Sequence, residues 1–494
     1  MTAVRSHEGP TSSGTGEHRS RTVEAVAPGI DVAALTDRLA AALVRDRRVV
    51  VWCGFLAGAT ALLSQLEAYG AHRPLVVAGS IGTGPLPPPG SCEVLVLDLP
   101  PVSTLSEQVR REGRLVGAPP PEALAAVEGY DPQNHAVVLA GPFTTARHVV
   151  GRPVLDGRLP AWEALEDKTL ADELCDAAGV PRPPSAVVPA EETTLRAAAA
   201  GLDDGDGTVW AGDASVGMNG GADLVRRVGA GVEPAAVAAF LAGHCRRVRV
   251  APFVEGIPCS IHGLVTPDGV AVLRPVEMVI LRGPEPDRFT FSGAATWWDP
   301  PESDREMMRS HGRAMGAELA ARVGFRGGFS LDGVLGRDGF VATEVNTRFT
   351  GGLALLARTL PDLPIALVQA ALVSGVDLGV DATALEARLL PVTDAHRGGG
   401  AVAVSTAVHP EATVSVGVVD DEGHSLRVAG DGEASRGTVE LGPAAPGGLV
   451  RLAPGDGLVP TSRSVAPYAV GALALADELW GTGFGPLQAA TQVR

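Results

Sequence analysis

The sequence predicts a multidomain protein of mixed class, in which a parallel α/β domain comes first and α+β domains follow. The chain has 494 residues, and a single hydrophobic core stops growing near roughly 250 to 300 residues, so several cores are expected. Short apolar runs alternate with helical periodicity over the first third of the chain. This alternation is typical of a parallel sheet covered by helices. Later in the chain, the runs GGFSLDGVL and GFVATEVN are predicted to form a hairpin within an α+β domain.

The composition excludes several classes of protein. Hydrophobic residues make up 45% and charged residues 20% of the chain, which is a globular balance. The net charge of -17 disfavours nucleic acid as a partner, because phosphate backbones bind positive surfaces, and it favours small molecules. The sequence has no apolar run of about 18 residues and no signal-peptide core, so we expect a cytoplasmic protein without a membrane partner. Five scattered cysteines predict neither a disulfide frame nor a zinc site.

The first 165 residues divide into a polar tail, residues 1–25, which we expect to be disordered, and an α/β domain, residues 26–165. Apolar side chains at helical spacing open this domain: Val32, Leu35, Leu39 and Leu43. Four apolar runs predict its strands: RRVVVW, PLVVAG, EVLVLDL and HAVVLAG. The glycine-rich stretch 79–84 follows a strand, as a phosphate loop would. A proline-rich run succeeds it instead of a helix, which favours a plain loop.

Three further domains are expected, at 166–250, 251–380 and 381–494. The first of them opens with a helix over 167–178, in which two leucines lie one turn apart and after which Gly179 suits the cap. The last contains short β-branched runs, Gly-rich turns and a final apolar helix, APYAVGALALADELW. It is therefore predicted to be a small α+β domain.

The segment 327–352 carries the strongest chemical signal, because two strands flank a turn and bring acidic residues together. If residues 337–339 form a three-residue hairpin loop, Asp332 lies directly opposite Glu344, and alternation places Asn346 on the same face. Facing carboxylates repel unless a cation lies between them, and hard oxygen ligands select Mg²⁺ or Mn²⁺. A two-residue Asp-Gly turn would move Asp332 to the other face and leave a polar surface.

Lys168 is the only lysine in the chain, and the remaining Lys-or-Arg positions are all arginine. A lysine retained in an arginine-biased sequence indicates a position where arginine would not serve. Lys168 is therefore a candidate functional residue. The alternative is chance survival on a solvated face.

The motif EVNTR at 344–348 resembles the metal-binding strand of the ATP-grasp superfamily. Asp167 and Lys168, followed by Gly-Val-Pro at 179–181, are similar to the segment that carries the family's first phosphate lysine. The resemblance implies an ATP-grasp fold, in which two α+β subdomains, here 166–250 and 251–380, grip ATP.

The same resemblance implies roles for particular residues. Lys168 would contact the phosphates and Arg348 would stabilise an oxyanion, so these two are the expected catalytic residues; for Arg348 the alternative is a salt bridge to a ligand carboxylate. Mg²⁺ or Mn²⁺ would be held by Asp332, Glu344 and Asn346. The further expected contacts to ATP lie in the glycine-rich loop 212–221, in the hinge that holds adenine and on the metal strand: Gly217, Gly220, Phe253, Val254, Glu255 and Glu344.

Four other segments are similar to the pheganomycin-type peptide ligases, which place a pre-ATP-grasp domain ahead of the core: 256–263, 274–277, 293–296 and 298–301. This similarity implies an ATP-dependent carboxylate–amine ligase of natural-product biosynthesis that works through an acyl phosphate and releases ADP and phosphate. Its expected partners are an amino-acid- or peptide-like acid and amine, and a homodimer is left open. His262 and Glu277 lie in these segments, and their roles stay open between structure and substrate or metal binding.

One departure from the family pattern concerns the strand before the glycine-rich loop. The family places a second phosphate lysine there, whereas residues 209–212 read VWAG. Arg226 or Arg227 are the candidate replacements. The departure keeps open a non-catalytic relative that binds nucleotide or a partner chain. An ATP-dependent carboxylase or phosphotransferase is a further alternative, because the sequence does not show the nucleophile.

Overall fold

The computed structural model describes residues 30–100, 102, 104–218, 220, 222–283 and 288–493. The predicted tail, residues 1–25, lies outside these residues.

The N-terminal unit contains ten elements: α1 (Val32–Leu43), β1 (Val49–Cys53), α2 (Leu56–Ala68), β2 (Leu75–Ala78), β3 (Glu93–Val96), α3 (Leu105–Gly117), α4 (Pro121–Tyr130), β4 (Val137–Leu139), β5 (His148–Val149) and β6 (Arg152–Pro153). Four strands form a parallel sheet in the order β3-β2-β1-β4. The valine-rich β1 and β2 are buried almost throughout, because helices cover both faces of a parallel sheet. The predicted parallel sheet is confirmed.

The next unit is built on an antiparallel sheet. Its elements are α5 (Pro160–Glu163), two 3₁₀ turns (Ala164–Glu166 and Lys168–Leu170), α6 (Ala171–Ala178), β7 (Ala186–Pro189), α7 (Glu192–Leu202), β8 (Thr208–Gly212), β9 (Val225–Val228), α8 (Pro234–Ala242) and β10 (Arg247–Pro252). The strand order is β7-β10-β8-β9. The helix predicted over 167–178 starts as a 3₁₀ turn, and Gly179 caps it in the left-handed conformation, with φ 65°.

The central unit contains a large antiparallel sheet and four helices: β11 (Gly256–Thr266), β12 (Gly269–Arg282), β13 (Phe289–Ala295), α9 (Glu302–Val323), β14 (Gly327–Gly336), β15 (Gly339–Asn346), α10 (Gly351–Ala357), α11 (Ile365–Ser374) and α12 (Ala382–Ala395). Its strands follow the order β13-β12-β11-β14-β15.

Helix α9 packs closely on one face of this sheet. Two glycines one helical turn apart permit the approach, since a Cβ at Gly312 would lie 2.7 Å from Cγ2 of Ile261 and one at Gly316 would lie 2.7 Å from Cγ1 of Val270. Protein interiors have little free volume, so larger residues here would move the helix off the sheet. The opposite face of the sheet remains available for polar residues.

The last unit is a five-stranded antiparallel sheet with one long helix. Its elements are β16 (Ala401–Ser405), β17 (Val414–Asp420), a 3₁₀ turn (Glu422–His424), β18 (Leu426–Val428), β19 (Gly437–Ala444), β20 (Gly447–Pro454), α13 (Ala466–Trp480) and β21 (Gln488–Ala489). The strand order is β16-β20-β19-β17-β18. Strand β21 is not part of this sheet and pairs with β12 of the central sheet.

The mixed fold class that the sequence predicts is confirmed, with one parallel sheet followed by antiparallel ones. Within the described part of the chain, no helix has the length and apolar character needed to cross a membrane. All five cysteines are free, as expected.

Candidate active site

The hairpin of β14 and β15 reaches the predicted pairing by a different route. Its turn contains only Arg337 and Asp338, so the predicted three-residue loop is wrong. A β-bulge then adds Thr343 as an extra residue in β15 and shifts the pairing by one. The short turn and the extra residue offset each other, and Asp332 lies directly opposite Glu344, as predicted.

A glycine makes this bulge possible. A Cβ at Gly333 would collide with the carbonyl oxygen of Val341 across the ladder. On the other side of the bulge Ser330 pairs with Asn346, two residues from the acidic pair on both strands. The two carboxylates and the amide therefore occupy neighbouring positions on one face.

Hydrogen bonds fix the side chain of Asp332, one member of the acidic pair. The Ser260 hydroxyl donates to Oδ1 of Asp332 at 2.5 Å, and Nδ2 of Asn346 donates to Oδ2 at 2.8 Å. Burial and the facing Glu344 carboxylate raise the pKa of Asp332 above its ordinary value. A bound cation would favour the ionised form of Asp332 and so act against this shift.

The donor chemistry of this cluster fits a hard divalent cation. Asp332, Glu344 and Asn346 present carboxylate and amide oxygens, which Mg²⁺ and Mn²⁺ prefer. Turning the Asn346 amide by half a turn directs its oxygen, instead of its nitrogen, toward Asp332. The described residues contain no group of three or more His, Cys, Asp and Glu side chains arranged to hold a metal. A cation bound here would therefore need the amide oxygen of Asn346 and oxygens of a ligand to complete its coordination.

Lys168 lies beside these carboxylates. Its Nζ is 2.8 Å from Oε2 of Glu344, and 12% of its side chain is exposed. The turn that carries it is fixed by Asp167, whose Oδ1 accepts the Thr169 N–H at 2.8 Å. Oδ2 of Asp167 accepts the Ala214 N–H at 3.3 Å, which ties this turn to the start of the glycine-rich loop. The lone lysine therefore lies at the acidic cluster and not on a solvated face.

Arg348 forms an ion pair with Glu166, not with a carboxylate of the acidic cluster. Glu166 is 6% exposed at its side chain, and it also pairs with Arg158 at 2.7 Å and accepts the Thr347 N–H at 3.0 Å. Burial acts to raise the pKa of Glu166, but Arg348 and Arg158 hold it below its ordinary value. The Arg348 guanidinium also lies 5.2 Å from the centre of the Phe143 ring, so the N-terminal unit reaches the site. Sequence reasoning missed Glu166, although it stands two residues before the lone lysine.

A cavity of about 410 Å³ connects these groups. Nine of the predicted site residues line it: Lys168, Gly220, Phe253, Val254, Glu255, Asp332, Glu344, Asn346 and Arg348. Gly217 is not among the described residues of its wall, although its neighbour Met218 is. A larger cavity of about 800 Å³ lies between α3 and α8, away from the acidic cluster.

The hinge segment 253–255 leads into β11, whose first residue Gly256 pairs with Gly336, four residues along β14 from Asp332. The Phe253 ring lies 6.4 Å from the Phe289 ring with nearly parallel planes, and the Arg227 and Arg282 guanidinium groups lie 4.3 and 5.6 Å from its centre. Stacked rings and guanidinium planes make the hinge suitable for a flat aromatic ligand.

The cavity wall contains an arginine that the sequence argument did not name. Neither of the predicted replacements for the second lysine, Arg226 and Arg227, is among the described residues that line the cavity of the acidic cluster. Arg226 stacks on Phe240 at 4.1 Å and lines the larger cavity, and Arg227 lies over the Phe253 ring. Arg249 does line the cavity of the acidic cluster, and it pairs across the strands with the small residue Ala211. Its Nε donates to Oδ1 of Asp172 at 2.8 Å. Strand β8 thus lacks the family's second lysine, but the adjacent strand β10 places Arg249 at the cavity wall. This position follows from the register of β10 and could not be predicted from the sequence alone.

His262 and Glu277, whose roles the sequence left open, lie on opposite faces of the central sheet. His262 lines the cavity, its Nδ1 is 3.2 Å from the Thr350 hydroxyl, and burial lowers its pKa to about 3. Its Nε2 has no hydrogen-bond partner among the described residues. Glu277 instead accepts the Ser464 hydroxyl at 2.5 Å and the Val465 N–H at 3.0 Å, at the start of α13. Glu277 is therefore a structural cap.

This cap should make stability depend on pH. Burial raises the pKa of Glu277 to about 7 from 4.5, against the effect of its hydrogen bonds from Ser464 and Val465. The folded protein keeps this proton to a higher pH than the unfolded chain does. The contribution of Glu277 to the free energy of unfolding is therefore fully present below pH 4.5 and is lost as the pH rises to about 7. Over this pH range we expect the free energy of unfolding of the wild type to fall by up to about 3 kcal/mol, and Glu277→Gln to abolish this fall. Denaturant unfolding at several pH values measures it, and Glu440→Gln on β19 is the control. Parallel pH profiles for wild type and Glu277→Gln would contradict the assignment.

Comparison with known proteins gives distant likenesses. No family model matches the chain, and no curated protein matches it significantly. Among solved structures, an L-amino acid ligase from Bacillus licheniformis has 14% sequence identity and a TM-score of 0.48, over 91% of this chain and 99% of the other. An N5-carboxyaminoimidazole synthase from Aspergillus clavatus, in complex with ADP and 5-aminoimidazole ribonucleotide, has 12% identity and a TM-score of 0.48, over 88% and 100%. An N5-carboxyaminoimidazole ribonucleotide synthetase from Thermotoga maritima has 13% identity and a TM-score of 0.43, over 90% and 100%. With TM-scores below 0.5, these likenesses leave the function to be inferred from the site itself.

Proposed function

We propose that this chain is an ATP-grasp ligase that joins a carboxylate to an amine and releases ADP and phosphate. One observation carries the proposal. The acidic pair of Asp332 and Glu344, the amide of Asn346 and the lone Lys168 meet at the wall of a cavity that extends to the aromatic hinge at Phe253. This is the order of groups that a metal–nucleotide complex requires, with a metal and phosphate end opposite a base end.

In this proposal the phosphate end is supplied by residues of three segments. Mg²⁺ held by Asp332, Glu344 and Asn346 would neutralise charge on the terminal phosphates. Lys168 and Arg249 add positive charge to the same wall, from the turn before α6 and from β10. In this proposal Arg249, although paired with Asp172, supplies the charge that the missing second lysine would carry. The predicted role of Gly217 as a phosphate contact is retained as part of this proposal.

The chemistry consists of two displacements. An oxygen of the acid attacks the γ-phosphorus, the bond from that phosphorus to the β-phosphate oxygen breaks, and an acyl phosphate and ADP result. The amine nitrogen then attacks the acyl carbon, the carbon–oxygen bond to phosphate breaks, and the amine loses a proton. Arg348 lies two residues beyond Asn346, the last residue of β15. In this proposal it donates to the oxyanion, and its ion pair with Glu166 fixes its orientation.

Several finer assignments belong to the same proposal. The domain boundaries at 26–165, 166–250, 251–380 and 381–494 place walls of the cavity in different units, with Phe143 contributed by the first. On the motif resemblance to pheganomycin-type ligases, we take the substrates to be amino-acid- or peptide-like, the pathway to be natural-product biosynthesis and the location to be cytoplasmic. A neutral His262 beside Thr350 offers a further polar contact at the Arg348 end of the cavity.

An isotope experiment tests the reaction. A mixture of L-amino acids labelled with ¹⁸O in their carboxylates is incubated with the protein, MgATP and unlabelled amines. Because one acid oxygen remains on the phosphate when the amine displaces it, we expect one ¹⁸O atom in each inorganic phosphate, measured by mass spectrometry. Unlabelled phosphate would indicate simple ATP hydrolysis. Transfer of phosphate without its release would indicate a phosphotransferase, and no ADP release would favour the nucleotide-binding relative.

A further inference from the structure

The hinge end of the cavity is bordered by a segment from the far end of the chain. Strand β12 pairs with β11 as far as Glu277, and its last residues pair instead with β21, Leu281 with Ala489 and Arg282 with Gln488. Strand β21 therefore lies beside the hinge, where β11 begins. We call residues 488–492 the strap.

Alternation along the strap directs one of its residues into the cavity. Ala490 lies two positions from Gln488, which pairs with the cavity-lining Arg282, and Ala490 itself lines the cavity together with Phe253 and Phe289. The strap thus forms part of the wall around the stacked rings of the hinge.

The strap also holds the hinge carboxylate. The Thr491 N–H donates to Oε1 of Glu255 at 2.7 Å, while Nη1 of Arg282 lies 3.4 Å from Oε2. Both oxygens of Glu255 are therefore occupied, one by the strap and one by β12. This arrangement fixes the hinge backbone on either side of Glu255.

The path of the strap is set by α13. Asp477 accepts hydrogen bonds from the Thr482 hydroxyl at 2.5 Å, the Phe484 N–H at 2.9 Å and the Gly485 N–H at 2.7 Å. These bonds turn the chain back after the helix, and Leu487 packs against the core of the last unit. The strap is thus anchored before it reaches β12.

We propose that the strap is a determinant of nucleotide affinity, acting on the base and not on the phosphates. The inference rests on the proposed function. The strap supplies Ala490 to the cavity wall and donates a hydrogen bond to Glu255 of the hinge. Asp332 of the acidic cluster lies four residues along β14 from Gly336, which pairs with the first residue of β11 after the hinge. Loss of the strap should open the base end and leave the phosphate end unchanged.

Two variants and three probes test this proposal. One variant ends after Leu487; the other, Thr491→Pro, removes the N–H that Glu255 accepts and keeps the chain length. Isothermal titration measures MgATP, MgADP and magnesium tripolyphosphate. We expect the truncation to weaken both nucleotides about tenfold and Thr491→Pro about threefold, with tripolyphosphate affinity unchanged. Val493→Pro, which places the same ring beyond the strap, should bind all three probes as the wild type does.

The outcomes separate this inference from the function on which it rests. Nucleotide affinities equal to those of the wild type in both variants would overturn the role of the strap and leave the ligase proposal intact. Equal losses for tripolyphosphate and nucleotides would overturn it also, since they would indicate a general disturbance. A wild type that binds neither nucleotide would overturn both proposals together.

Discussion

Glu344→Ala is expected to lower kcat for acid-dependent ADP release by about a thousandfold, equivalent to about 4 kcal/mol. Glu344 faces Asp332 across the hairpin and lies 2.8 Å from Nζ of Lys168, so its loss removes an oxygen donor from the proposed cation site and a partner of the lysine. Steady-state kinetics at several Mg²⁺ concentrations measure the effect. The variant should also require more Mg²⁺ for half-maximal rate, which a defect in folding alone would not produce.

The matched control is Glu440→Ala. Glu440 is also a strand glutamate with a basic partner, in its case Arg451 at 3.4 Å, but it belongs to the sheet of the last unit. It should keep the wild-type rate and Mg²⁺ dependence. Equal background rates in wild type and Glu344→Ala would instead identify the chain as a nucleotide-binding protein without turnover.

Lys168→Met should lower kcat/KM for MgATP by about a hundredfold, because it removes a largely enclosed ammonium from the proposed phosphate site. Lys168→Arg keeps the charge but places a planar, larger group on a side chain that is only 12% exposed, so it should recover little of the rate. Unchanged kcat/KM in Lys168→Met would remove Lys168 from the proposed mechanism.

The single lysine permits a second, direct measurement. Amine-reactive esters can modify only Lys168 and the terminal amine, because no other lysine is present. MgATP should protect Lys168 from acylation, as measured by peptide mass spectrometry, while AMP, which lacks the outer phosphates, should not. Equal modification with and without MgATP would place the nucleotide elsewhere.

Much of the fold could be predicted from the sequence, because its signals are local. Helical spacing over residues 32–43 gives α1, and the apolar run ending at Trp480 gives α13 with the observed bounds. Valine-rich strands alternating with helices are sufficient for the parallel sheet, since both faces of such strands must be apolar. Each of these features depends on side chains close together in the chain.

The parts that escaped prediction depend on residues distant in sequence. The pairing of Asp332 with Glu344 was correct, but it arises from a short turn and a bulge that no local pattern revealed. Arg249 reaches the cavity because β10 pairs with β8, and Glu166 holds Arg348 from 182 positions away. Glu277 was ambiguous because only tertiary structure brings α13 to it. The roles of all these residues in binding and catalysis stay predictions.

The two-residue turn at Arg337 and Asp338 affects which insertions the outer tip of the hairpin can accept. Exposed turns ordinarily tolerate insertions, since nothing packs on them. Here an added residue that leaves the turn two residues long would enter β15, and with the bulge at Thr343 retained it would carry Glu344 to the face that α9 covers. A residue inserted into the strand at this solvent-facing tip would therefore displace the acidic pair several residues away, and a simultaneous deletion at the bulge would restore the alignment.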